Sequence, residues 1–257
     1  MPRTGTGVIA IGCACRAACG ITLYACALVL PALAIASDLL VDPVRIELSP
    51  QHPSAAIHIR NNSNQPKTIK VQAVTWSQLD GKNINEPTSE LVASPQAFSI
   101  APGRSQILRT ALRRAADPEH ELAYRIQLRE LQPQSAPGLT SQEVGLHLDL
   151  PVFVQPQQGI ARPQFAWTVS GAAGKRLQLT LHNLGNAHVE VSDFSVYVQG
   201  SDKPLTGELV STWILAGQTH SWMLDTDPVD PPSGGRLRLS AYTDAGNIET
   251  ELTLGPP

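Results

Sequence analysis

The chain has 257 residues, 19 Lys and Arg against 22 Asp and Glu, a formal net charge of −3, and a composition 42% hydrophobic but only 5% aromatic. That balance offers no basic field to nucleic acid or to an anionic lipid surface, so neither is an expected partner. The length allows two domains of about 100 residues each once a leader is set aside.

The leader comes first. Met1 to Gly20 carries Arg3 and Arg16 and no acid, Ile21 to Ile35 is almost wholly apolar, and Ala34-Ile35-Ala36 is an A-x-A pattern before Ser37. Basic, apolar and small-residue regions in that order predict a secretory signal peptide over residues 1–36, cleaved near Ala36/Ser37. The apolar run is too short and wrongly flanked for a spanning helix, so no stable membrane insertion is expected after cleavage. A retained anchor is the competing reading, as is a lipoprotein-type cleavage at Leu23-Tyr24-Ala25-Cys26, which Arg16 weakens. All four cysteines (Cys13, Cys15, Cys19 and Cys26) fall in this segment, so the mature chain makes no disulfide and depends on core burial. Losing Arg3 and Arg16 leaves 17 of the 19 basic side chains against 22 acidic ones, a formal charge of −5.

From Ser37 to Pro257 helix signals are nearly absent, and short β-rich runs recur between Pro, Gly, Asn and Asp. The first half predicts strands at Val44–Leu48, Ala55–Arg60, Lys67–Trp76, Gln96–Ile100, Ser105–Leu112, Ala123–Leu131 and Val144–Val154. The second half repeats the style at Gln164–Val169, Arg176–Asn183, Glu190–Val198, Glu208–Ile214, Thr219–Leu224, Arg236–Thr243 and Ile248–Leu254. Strands of this length and spacing predict an all-β chain of two immunoglobulin-like sandwiches in tandem. The Pro/Gln/Gly-rich Gln155–Arg162 is the expected junction, giving domains at 37–157 and 158–257. Asp80-Gly81 and Asp244-Ala245-Gly246-Asn247 are hairpin signals, and Ala101-Pro102-Gly103 is a proline-led turn. Gln132–Ser141, rich in Pro, Ser and Gly, is expected to be a mobile loop.

That loop leads into the most informative strand, residues 143–154. Val144, Leu146, Leu148 and Leu150 alternate with Gly145, His147 and Asp149. Period-2 alternation puts the aliphatic side chains on one face. Pro151 follows at once, and an edge strand tolerates proline better than an interior one does. A long apolar edge is an aggregation hazard, so it is either covered by its own chain or kept for a partner.

Signals for catalysis are thin. Of the seven histidines, His182 and His188 lie six residues apart with no Cys or acid between them, and they flank an Asn183 to Asn186 turn. This favours a structural role over a metal site. Phosphate loops, nucleophile elbows and zincin motifs are missing from the sequence, and neither a cofactor nor an enzymatic activity is expected. Asn61-Asn62-Ser63 matches a glycosylation sequon, yet a turn is the better reading. Charges inside strands say more. Arg45 and Glu47 lie opposite Val44, Ile46 and Leu48, and Arg125, Gln127 and Arg129 lie opposite Tyr124, Ile126 and Leu128. A solvated outer face explains such arginines; the functional alternative is a basic pocket for a carboxylate, which guanidinium matches bidentately.

Taken together, several segments resemble the periplasmic pilus chaperones, the PapD-like family of the chaperone–usher pathway. They are Val44-Arg45-Ile46, Pro95-x-x-Phe98-x-Ile100-x-Pro102-Gly103, Tyr124-Arg125-x-x-Leu128-Arg129-Glu130-Leu131, the alternating strand into Pro151-Val152-Phe153-Val154-x-Pro156, and Tyr242-Thr243-Asp244-x-Gly246. They run across the mature chain in the family's order. The resemblance implies two immunoglobulin-like domains set in an L around a cleft. It implies a periplasmic chaperone that lends its strand to pilus subunits lacking their own last strand, then delivers them to an outer-membrane usher. On that resemblance Val144, Leu146, Leu148 and Leu150 are the donated side chains. Free chaperone then protects the same edge, by self-association in our expectation.

The resemblance also implies an Arg on the first strand and a Lys on the donor strand, together anchoring the subunit's terminal carboxylate. Arg45 matches the Arg, whereas Pro151 stands at the Lys position, and Arg125 is the expected replacement. This departure, with the Asn183-x-Gly185-Asn186-x-His188 turn, fits an archaic or alternative branch. The family further ties its domains with an acid, an arginine and an aspartate. Glu130 and Asp244 match the acids, but Gln155 stands at the arginine, so another arginine must serve or the domains are tied differently. Two rival readings remain at this stage: a secreted tandem immunoglobulin-like adhesin or binding module, and a β-sandwich enzyme with a histidine metal site.

Overall fold

In a computed structural model the described residues are 38–131, 145–172, 175–226 and 234–256. The expected leader with its four cysteines, the expected loop at Gln132–Ser141, and Val144 lie outside them. The described residues are strands and turns with no helix, as the sequence pattern predicts.

Ten strands build the first half: β1 (Leu39–Asp42), β2 (Ile46–Leu48), β3 (Ser54–Asn61), β4 (Lys67–Leu79), β5 (Lys82–Pro87), β6 (Leu91–Ser94), β7 (Ala97–Ile100), β8 (Ser105–Leu112), β9 (Leu122–Glu130) and β10 (His147–Val154). One sheet has the order β1-β3-β8-β6, the other β2-β10-β9-β4-β5 with β7 also on β4. Their inner faces share one core that includes Ile46, Ile57, Leu108, Tyr124, Ile126 and Val152, the arrangement of an immunoglobulin-like sandwich.

Seven strands build the second half: β11 (Phe165–Ala172), β12 (Arg176–Asn183), β13 (Val189–Val198), β14 (Pro204–Ile214), β15 (Thr219–Asp225), β16 (Arg236–Thr243) and β17 (Gly246–Gly255). Their order is β14-β13-β16-β17-β11-β12-β15. The β11–β17 link is parallel and only two residues long, so it joins two antiparallel layers that close over a second core around Phe194, Trp222 and Leu239. The described residues cluster as one compact unit.

Local chemistry sets the turns. Asp80 and Gly81 both have positive φ, 50° and 73°, the geometry of a two-residue primed hairpin between β4 and β5. Arg104 N–H donates to Ala101 C=O at 3.0 Å, closing the proline-led turn. Two buried asparagines plug equivalent turns. Asn61 Nδ2 donates to the carbonyls of Gln65 and Ile100, so the sequon is a turn. Asn183 Nδ2 reaches the carbonyls of Ala187, Ile214 and Leu215. Next to it a Cβ on Gly185 would collide with the carbonyl oxygen of Arg162, so only glycine fits.

Candidate functional site

The two ends of β10 have different neighbours. β9 pairs antiparallel with it along its whole length, from His147↔Arg129 to Val154↔Leu122. On the other side β2 pairs in parallel with Val152–Val154 only. No strand among the described residues pairs with that side of His147–Leu150. Leu146 C=O accepts from Glu130 N–H on the β9 side, and Gln155 N–H donates to Leu48 C=O on the β2 side. Strand alternation between those two bonds turns the N–H groups of His147 and Asp149 toward the open edge. Pro151 carries no N–H, and it stands where the open half meets the covered half.

Burial changes along the same line. Val152, Phe153 and Val154 are at most 1% exposed and Leu150 3%, while Leu146 and Leu148 are half-buried at the margin of the same core. Of the four aliphatic residues singled out by alternation, Leu146, Leu148 and Leu150 therefore share a face, and Leu150 is fixed in its own domain's core.

On the opposite face the register sets a row of three residues. Ile46 pairs with Val152, which places Arg45 level with Pro151, and Pro151 pairs directly with Arg125. Arg45 and Arg125 thus flank the proline on adjacent strands, about 10 Å apart at their Cα atoms. Their surroundings differ. Arg45 is paired with Asp244 at 2.9 Å and Glu47 at 3.2 Å, and its guanidinium faces the Trp213 ring at 5.7 Å. Arg125, only 13% exposed, lies 3.8 Å over the Trp76 ring. Its carboxylate contact among the described residues is Asp149 at 3.7 Å, too long for a hydrogen bond. Burial disfavours the Arg125 charge and Asp149 offsets that in part. A half-buried guanidinium with no hydrogen-bond acceptor among the described residues is placed to take an anion.

The tie between the sandwiches runs through His188. Its Nδ1 lies 2.6 Å from Glu121 Oε1, which also accepts the His188 backbone N–H, and its Nε2 lies 3.6 Å from Asp244 Oδ2. The imidazole stacks on Phe153 with centroids 3.4 Å apart and also meets Trp213. Burial opposes its charge, but the Asp244 and Glu121 carboxylates outweigh that and raise the His188 pKa above the ordinary histidine value. Asp244 behaves conversely: burial pushes it up, yet His188, the Glu190 amide and Arg45 hold it below the usual carboxylate value. Further contacts cross here, including Gln78 bonded to both the Trp213 carbonyl and the Leu215 amide, and Asn186 Nδ2 to the Glu119 carbonyl. Trp76, Phe153 and Leu215 form a small apolar core of their own. Beside the tie is a pocket of about 180 Å³ lined by Arg45, Glu47, Phe153, His188 and Asp244.

One sequence expectation needs correcting. Asp244 is in the tie, but Glu130 is not: it pairs with Lys67 Nζ at 2.8 Å, within its own sheet, and raises the Lys67 pKa. The acid that crosses is Glu121, at the opposite end of β9, where the strand starts beside the second sandwich. With Gln155 where the resemblance expects an arginine, Arg45 is the cation that reaches Asp244, and His188 lies between Glu121 and Asp244. His182 hydrogen-bonds Thr219 instead, and no cluster among the described residues could hold a metal ion.

Residues 38–159 match the family described as Pili and flagellar-assembly chaperone, PapD N-terminal domain. No curated protein matches the chain. Among solved structures the fold is similar to a chain of the CsuC–CsuE chaperone–tip adhesion subunit pre-assembly complex from archaic Csu pili of Acinetobacter baumannii. The TM-score is 0.61 at 16% identity, covering 84% of this chain and 98% of that one. It is also similar to the CupB2 chaperone of Pseudomonas aeruginosa, with TM-score 0.53, 14% identity and coverage of 84% and 100%. A chain of the Salmonella enterica SafA pilin–SafB chaperone complex gives TM-score 0.53, 15% identity and coverage of 84% and 96%. Residues 38–159 are thus similar in sequence to the N-terminal domain of PapD-type pilus-assembly chaperones, and the chain shares the fold of solved chaperones of that kind.

Proposed function

We propose that this chain is a periplasmic chaperone that captures pilus subunits by lending them the first half of β10 as a strand. One observation carries the reading: no described strand pairs with the β10 edge at His147–Leu150, while the other half of that edge is covered by β2. An incoming strand pairs with the His147 and Asp149 backbone, and Val144, Leu146 and Leu148 fill its apolar groove, with Leu150 anchoring the strand in the chaperone. Each side chain so buried contributes about 1.5–3 kcal/mol before ordering costs, enough for three or four to hold a subunit.

Arg125 is the carboxylate anchor, since among the described residues the only carboxylate its guanidinium meets is the distant Asp149, and Arg45 lends charge from the other side of Pro151 while also holding Asp244. Residues 1–36 act as the export signal, and 37–157 and 158–257 act as the two domains. An outer-membrane usher receives the loaded complex, and free chaperone covers its edge by self-association. The chain acts without catalysis.

The test is co-expression with a candidate subunit, followed by purification and mass analysis, for the wild type and for Leu146→Asp/Leu148→Asp. A soluble one-to-one complex that the double variant loses supports the reading. A folded variant that keeps its partner moves the interface elsewhere and favours an adhesin-type binding module.

A further inference from the structure

His188 sits between two carboxylates from different sandwiches, Glu121 just before β9 and Asp244 just after β16. The ring hydrogen-bonds Glu121 at 2.6 Å, whereas Asp244 at 3.6 Å is an ion-pair contact beyond hydrogen-bond reach, so attraction to both acids takes the positively charged imidazolium. A neutral ring donates to one acid and turns a lone pair toward the other. We propose that His188 is an ionisation-dependent tie between the sandwiches: as the imidazolium it bridges Glu121 and Asp244, and as the neutral ring it holds only one of them.

The groups around the ring account for both states. Phe153 on β10 and Trp213 on β14 cover its faces and supply no charge. Arg45, before β2, is the other cation on Asp244, and Glu47 draws on the same guanidinium. The Glu190 amide donates to Asp244 Oδ1, and the Glu190 side chain is held by Ser211. Within this set three acids, Glu47, Glu121 and Asp244, face one permanent cation. The histidine is the variable charge. A group whose pKa rises on folding adds stability that is complete below its unfolded value, 6.5 here, and lost as pH climbs through the folded value. The junction is therefore tightest in mild acid and loosens toward alkaline pH. When the ring is neutral, Asp244 retains Arg45 as its charged partner.

Two measurements on the intact mature chain test this. Nitrogen-15 NMR of the His188 ring is expected to show both nitrogens protonated at about pH 6.5, with one proton lost above the ordinary histidine range. A single protonated nitrogen at about pH 6.5 overturns the proposal. Thermal unfolding from about pH 6 to 9 is expected to show the melting temperature falling by a few degrees in the wild type. That slope should vanish in His188→Arg and in His188→Gln. An unchanged slope in a folded variant also overturns it, and if neither variant folds the wild-type ring spectrum decides.

Discussion

The two halves of β10 lie in one strand, yet they answer to different constraints. Val152–Val154 have a strand on each side and are sealed in the cores, so their aliphatic and aromatic side chains serve the chain's own fold. Among the described residues His147–Leu150 have β9 on one side only, and Leu146 and Leu148 stay half-buried at the core's margin. Apolar alternation alone does not separate these cases; what separates them is how far the neighbour β2 reaches. β2 is three residues long, and its pairing stops at Ile46, one step before the row containing Pro151.

The sharpest contrast comes from placing a charge in each half. Val152→Asp buries an unpaired carboxylate at a site 0% exposed and should cost about 3–5 kcal/mol, a large share of a typical domain's stability. Urea unfolding should find the first sandwich largely unfolded. Leu148→Asp, at the open margin, should cost about 1 kcal/mol by the same assay and leave the fold intact. A similar cost at both positions would erase the distinction.

A smaller effect should come from the row beside Pro151. Arg125→Gln leaves the fold nearly unchanged, because the guanidinium lacks a close carboxylate partner, but weakens subunit capture about tenfold to a hundredfold. Arg45→Gln should instead lower stability, because it removes the Asp244 ion pair at 2.9 Å. Paired binding and melting assays separate the two; equal effects of both variants on capture would mean that the row acts as one anchor.

The smallest effect lies on the acid side. The Asp244 pKa is depressed below 3.8, so its contribution is present above that value and lost as pH falls through the folded value. Asp244→Asn should flatten the loss of stability below about pH 4, measured by acid titration of the melting temperature.

Much of this was legible in the sequence. The fourteen predicted runs all fall on strands, because half-buried strands show period-2 alternation and their turns carry Asp-Gly and Pro-Gly signals. β1, β5 and β6 were not foreseen. β1 and β6 are four residues long and end against prolines, whereas every residue of β5 is exposed and that strand is defined only by its pairing with β4. The arginine row was half legible: alternation put Arg45 and Arg125 on outer faces, but only register could set both beside Pro151. The junction was the least legible part. Glu130 and Glu121 both border the same strand, and nothing local shows which end meets the second sandwich. His188 finds Glu121 67 residues away in sequence, through a turn whose asparagines and glycine signal shape and not charge.

The most direct measurement is amide hydrogen exchange along β10, with and without a bound subunit. The account predicts that the His147 and Asp149 amides exchange readily in the free chain and become protected on binding, while those of Val152 and Val154 are slow in both states. Protection confined to loops of the second sandwich, with His147 and Asp149 unchanged, would contradict it.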